Sequence, residues 1–216
     1  KISFFDKRIT KKLPSISSID KINWKSLDLV FLSLPNGEAQ KLIKKTFFKN
    51  KNIKFIDLSA DFRITNLKTY KEYYNIKHKA SGLLKHSLYS IPEFTKKEIT
   101  NFRIISNPGC YPTSILLPLI PLFKDKLVKV KNIIIDSKSG YSGAGRGIHK
   151  KYKDKNLYES LSAYGVGFHR HNPEINQMLK KFTNKEINFT FTPHLTPMFR
   201  GILSTIYIDL ENGITQ

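Results

Sequence analysis

The sequence predicts an α/β protein built as two closely joined halves, and three observations carry that prediction. Over residues 28–59 a strand-like run, a helix-like run and a second strand-like run follow one another, the order of a parallel crossover. Downstream the pattern changes: "INFTFTPHL" (187–195) and "GILSTIYIDL" (201–210) alternate like strands of an antiparallel sheet exposed on one face. No Pro/Ser-rich linker, repeat or low-complexity segment divides the chain.

The elements follow from local chemistry. "DLVFLSL" (28–34) is an apolar run halted by the turn residues "PNG". Ala39, Leu42, Ile43 and Phe47 then recur at helical spacing, and "IKFIDLS" (53–59) reads as another buried strand. Residues 67–100 are polar and tyrosine-rich and read as excursions between strands, before "FRIIS" (102–106) supplies a further one. "VKNIIIDS" (130–137) is a strand, "KSGYSGAGRGIHKK" (138–151) a Gly-rich loop, and "EINQMLKKF" (174–182) a helix. The second, mixed half begins near Cys110, which divides the chain into 1–108 and 109–216.

Composition narrows the function classes. The 37 Lys+Arg against 17 Asp+Glu give a net charge of +20, which favours anionic partners. Only six of those cations are arginines and they are scattered, so a lysine-heavy composition explains much of the charge. The densest run, "HKKYKDK" (149–155), also carries an acid, and no nucleic-acid-binding motif is present. One cysteine excludes an internal disulfide and a multi-thiolate zinc site. No apolar run approaches the roughly 18–20 residues of a membrane span, and "KISFFDKRITKK" lacks a signal-peptide apolar core. The expected compartment is the cytoplasm, with no membrane partner.

"IISNPGC" reads as a strand end, a tight turn at Pro108 and Gly109, and a helix whose first turn carries Cys110; Pro112 suits that turn because its missing N–H costs nothing there. Unpaired N–H groups and the positive end of the helix dipole favour a thiolate at such a place, so Cys110 is a candidate nucleophile. Pro118 and Pro121 are expected to bend or interrupt the helix.

A thiolate nucleophile needs a proton-handling partner. In "GFHRHNPEI" (167–175), His169 and His171 flank Arg170 on a segment feeding a helix with Asn172 as N-cap and Pro173 in its first turn. Glu174 is close enough in sequence to orient an imidazole. A zinc site from His169, His171 and His194 matches no common ligand spacing, so no metal is expected. "SGYSGAGRGI" follows a strand but fails G-x-G-x-x-G at its third glycine. It reads instead as a loop whose backbone amides approach an anion, with Arg146 supplying charge.

Taken together, "SNPGCYPT", "DLSADFR", "YSIPE", "SGYSGAGR", "HRHNPEI" and "TPHLTPMFRGI" resemble the N-acetyl-gamma-glutamyl-phosphate reductases of arginine biosynthesis, in order from about residue 28 to the C-terminus. The resemblance implies a Rossmann-type NADP-binding domain (1–108) joined to a glyceraldehyde-3-phosphate-dehydrogenase-like α/β catalytic and oligomerisation domain (109–216) with a mixed, largely antiparallel sheet. It implies a homo-oligomer that reduces an acyl phosphate to an aldehyde with NADPH. Cys110 would form a thioester, and His169, oriented by Glu174, would shuttle a proton. Arg146, Arg170, His171 and Arg200 would hold substrate. Leu34, Pro35, Gly37, Ser59, Ser142, Gly143 and Gly145 match segments that line the nucleotide and nicotinamide region.

The sequence departs from the family at Asn36, where histidine is common, and at Pro118, where a small residue is commoner. No strand and Gly-rich phosphate-binding turn stand before "KISFFDKR", and "LENGITQ" stops at a connection, so a fragment lacking both ends is expected. The alternatives are an aspartyl-phosphate or carrier-linked aminoadipate semialdehyde dehydrogenase and, from another class, a basic RNA-binding module.

Overall fold

The computed structural model describes residues 16–145 and 159–214. Two four-stranded sheets organise them.

The first sheet is wholly parallel, in the order β1 (Leu29–Leu32), β2 (Lys54–Asp57), β4 (Ile104–Ser106), β3 (Ser87–Tyr89). Helix α1 (Glu38–Thr46) makes the crossover from β1 to β2. Its apolar stripe places Ala39 and Ile43 in one core with Phe47, Ile53, Phe55, Phe62 and Ile104. Gly37, at φ 90°, caps α1 in the left-handed region that glycine adopts without a Cβ penalty. The 67–100 region holds more than excursions. It forms α2 (Leu67–Tyr74), the short α3 (Pro92–Thr95) and, between them, β3, which pairs with β4. A three-residue strand is too short for an alternation pattern to register, so the sequence gives no sign of it.

The second sheet runs β6 (Ser162–Ala163), β7 (Phe189–Thr196), β5 (Ile133–Gly140), β8 (Ile202–Tyr207). It is mixed: β5 pairs with β7 in parallel, whereas β5–β8 and β6–β7 are antiparallel. The two alternating runs read from the sequence are therefore not neighbours, because β5 lies between β7 and β8. Helices α4 (Cys110–Lys124) and α5 (Asn172–Thr183) share a core with this sheet through Ile115, Leu119, Ile133, Ile135, Ile175, Leu179 and Phe191. Helix α4 runs through Pro118 and Pro121 as one element. Both prolines are exposed, on the side where carbonyls left without an N–H donor can turn to water.

Candidate active site

Strand β4 delivers Asn107 to Gly109 into the first turn of α4, so Gly109 is the N-cap and the exposed Cys110 the first helical residue. The turn is braced from two sides. From α5, Glu174 Oε1 accepts hydrogen bonds from the Gly109 amide (2.7 Å) and the Tyr89 hydroxyl (2.8 Å). From the segment after β2, Arg63 donates through Nε to the Asn107 carbonyl (2.7 Å) and through Nη2 to the Leu58 carbonyl (2.9 Å), with Nη1 3.6 Å from Glu174 Oε2. Glu174 has no exposed surface, and burial pushes its pKa up; Arg63 opposes that shift most, followed by the Gly109 and Tyr89 donors.

Glu174 thus turns to the cysteine loop and not to an imidazole, contrary to the orienting role expected for it. The orientation of His169 has a local source instead, because its Nδ1 accepts the backbone N–H of His171 (3.1 Å). With Nδ1 so used, a neutral ring carries its proton on Nε2. The two rings lie 4.9 Å apart, and each meets the Tyr111 ring edge-on. Burial, then the charge of Arg170, lowers the His169 pKa to about 4. Burial, then His169, Arg63 and Arg170, lowers that of His171 to about 2. Both are neutral at pH 7, so His169 meets the site as a hydrogen-bond donor through Nε2.

His171 is the imidazole packed on the cysteine turn. A methyl group added at Gly109 would lie 2.6 Å from His171 Nε2 and 3.0 Å from Arg63 Nη1, so only glycine fits there without movement.

Cys110, His169, Arg170 and His171 share the wall of a cavity of about 610 Å³, together with Gly143 and a group of aromatic residues. A second cavity, of about 180 Å³, adjoins it through Arg170 and His171. Its other walls include Leu34, Asn36, Ser59 and Arg63, in the crevice beyond the carboxyl ends of β1 and β2, where parallel sheets bind ligands.

The remaining expected residues fall as follows. Leu34 and Ser59 line the smaller cavity, but the Gly37 amide is committed to Asp61, donating to Oδ1 at 2.7 Å and Oδ2 at 3.0 Å, and the Pro35 carbonyl accepts from Glu38. Of the Gly-rich loop, the described part runs to Gly145, and there several amides are already committed. Gly140, Tyr141 and Ser142 donate their amides to the carbonyls of Gly201, Met198 and Phe199, and Gly145 donates to Ser142. Gly143 reaches the larger cavity, whereas Ser142 and Gly145 are on neither wall. Arg200 is exposed and away from both cavities, its guanidinium carbon 5.2 Å from the Phe199 ring centroid. Arg146 lies outside the described residues.

Sequence reasoning missed Arg63 and Tyr89 as members of the site. A signal for Arg63 was present: in a chain whose cations are nearly all lysine, an arginine marks a place where a multi-donor fork is used. Arg103 shows the same use, reaching the carbonyls of Ile53, Phe47 and Asn50.

Comparison with known proteins agrees with this geometry. Residues 2–102 match the family described as "Semialdehyde dehydrogenase, NAD binding domain", and residues 110–216 match "Semialdehyde dehydrogenase, dimerisation domain". The chain is 45% identical over 216 residues to a protein named "Probable N-acetyl-gamma-glutamyl-phosphate reductase, chloroplastic" from Arabidopsis thaliana, a match covering 98% of this chain and 52% of that one. It is 47% identical to the N-acetyl-gamma-glutamyl-phosphate reductase of Alkaliphilus metalliredigens, over 88% of this chain and 55% of that one. The chain therefore spans about half the length of these relatives. Among solved structures, aspartate semialdehyde dehydrogenase II from Vibrio cholerae has the same fold, with a TM-score of 0.65 at 17% identity over 91% of this chain and 59% of that one. Among the described residues, no helix is long and apolar enough to cross a membrane.

Proposed function

Since the chain belongs to the semialdehyde dehydrogenase family, we propose that it carries the catalytic chemistry for NADPH-dependent reduction of N-acetyl-L-glutamyl 5-phosphate to the semialdehyde and phosphate. The observation that carries this reading is Cys110 at a helix start, opening into a cavity whose wall also holds two imidazoles and a guanidinium.

Cys110 Sγ attacks the acyl carbon and the phosphate leaves with the C–O bonding pair, giving a thioester. Arg170, exposed and on both cavity walls, holds the departing phosphate or the substrate carboxylate. The smaller cavity fits the nicotinamide end of a dinucleotide, because it meets the cysteine cavity at Arg170 and His171 and presents Ser59 and two guanidinium groups. Leu34, Asn36 and Ser59 would hold that end, and the bound cofactor supplies the hydride that the thioester carbon receives. His169 donates from Nε2 to the oxygen of the resulting tetrahedral centre. Re-formation of the carbonyl then expels Cys110 as thiolate, so no net proton is needed at this step. Glu174 and Arg63 hold the cysteine turn while charge moves across it.

The two functional regions correspond in this reading to 1–108 for cofactor and 109–216 for catalysis and self-association. On the outer face of β5 and β8 the exposed Ile134 and Tyr207 stand opposite one another, with Leu203 beyond the Asp136–Lys138 ion pair, a face of mixed character suited to a second copy of the chain. The test is turnover by the full-length protein of N-acetylglutamyl phosphate beside aspartyl phosphate, with NADPH and NADH as reductants. Preference for the acetylated substrate and for NADPH supports the reading. Preference for aspartyl phosphate would replace it with the aspartate-specific alternative.

A further inference from the structure

The larger cavity has a property that the reaction itself does not require. Among the described residues, no Asp or Glu lines it; its charge comes from Arg170, beside the two imidazoles. A substrate with a free ammonium group would enter next to a guanidinium with no acid to pair with, whereas an acylated, neutral amine meets no such cost. Tyr73, Tyr111, Tyr164, Phe168 and Leu195 surround the space with apolar surface.

Phe168 stands out among them. It is 55% exposed, although large aromatic side chains are normally buried. Its ring is stacked on Tyr73 from α2, with centroids 4.4 Å apart and planes 11° from parallel. The stack fixes an apolar surface on the cavity wall, one residue before His169. Gly165 and Gly167, both at positive φ, shape the segment that presents it.

We propose that Phe168, backed by Tyr73, is a specificity-determining residue that packs on the methyl of the substrate's N-acyl group. This rests on the reductase reading above. The test uses the full-length protein in the oxidative direction, with NADP and phosphate, on N-acetyl- and N-formyl-glutamate semialdehyde, which differ by that methyl and not in charge. The parent protein should prefer the acetyl substrate in kcat/KM by roughly tenfold or more, the usual worth of one methyl in an apolar pocket. Phe168→Ala should bring the preference to about twofold or less, and Phe168→Leu, which keeps apolar contact, should restore most of it. An unchanged preference in Phe168→Ala, with kcat lowered for both substrates, would show that the stack merely supports the histidine segment and would overturn the proposal. Turnover of neither substrate by the parent protein would overturn the reductase reading, and this proposal with it.

Discussion

Glu174, in the first turn of α5, accepts a 2.7 Å hydrogen bond from the amide of Gly109, the residue before Cys110. A fully buried carboxylate thereby sets the position of the nucleophile through its backbone. Truncation to Ala leaves the Gly109 amide and the Tyr89 hydroxyl buried without their acceptor and the Arg63 guanidinium without its counter-ion, and should destabilise the fold by about 3–5 kcal/mol. Glu174→Gln keeps an acceptor but loses the charge facing Arg63. Its kcat in the full-length protein should fall roughly tenfold to a hundredfold, with a smaller loss of thermal stability than in Glu174→Ala. Wild-type melting temperature and kcat in Glu174→Ala would show that the contact is dispensable.

Gly109→Ala tests the same turn sterically. The backbone of Gly109, at φ −66° and ψ 162°, is open to any residue, so strain plays no part. The added methyl would meet His171 Nε2 at 2.6 Å, and overpacking of this kind costs about 1–3 kcal/mol. We expect a lower melting temperature together with a loss of turnover; a variant as active and stable as the parent would mean that His171 moves aside freely.

Much of the site is legible in the sequence because local chemistry specifies it. "NPGCYP" carries its own turn and helix start, and "HNPE" its own helix entry, although the N-cap is His171 and not the expected Asn172, whose side chain caps nothing. The role of Glu174 is not legible in this way. Its partner Gly109 is 65 residues away, and nothing in "HRHNPEI" distinguishes a carboxylate that turns to the neighbouring imidazole from one that turns to another element. The start of the Gly-rich loop shows a related limit: its amides suit an anion cradle, but those of Gly140, Tyr141 and Ser142 are taken up by carbonyls of the distant 198–201 segment. Strand β3 leaves no trace because three residues cannot express a period.

The histidine assignment separates by substitution. His169→Asn in the full-length protein should lower kcat by roughly 10²- to 10⁴-fold, the range for a group acting at the reacting centre. His171→Asn should act more on stability, since that ring packs on the cysteine turn. A larger kcat loss in His171→Asn would exchange the two roles.

Acid stability follows from the same rings. Both histidine pKa values are lowered on folding, from 6.5 to about 4 for His169 and about 2 for His171. Below pH 6.5 the unfolded chain binds protons that the folded chain does not. Their contribution is therefore complete above about pH 6.5 and is lost as pH falls, toward 4 for His169 and further for His171. Asp57, raised to about 6 by burial, acts in the opposite sense, its contribution being lost as pH rises through that value. Comparing melting temperature against pH for the parent and His171→Asn cancels the Asp57 contribution. The variant should lose less between pH 6.5 and 4.5 than the parent, whereas parallel curves would contradict a histidine buried in its neutral form.

The central claim is that Cys110 forms the covalent bond to the acyl group, and the most direct test is to trap that bond. Full-length protein incubated with N-acetylglutamyl phosphate in the absence of NADPH, then quenched in acid and digested, should show the acyl mass on the peptide bearing Cys110. In Cys110→Ser the adduct and turnover should both disappear while NADPH binding is kept, since a serine hydroxyl is almost wholly protonated at neutral pH. An unmodified Cys110 peptide from protein that turns over, or near-wild-type activity in Cys110→Ser, would contradict the account.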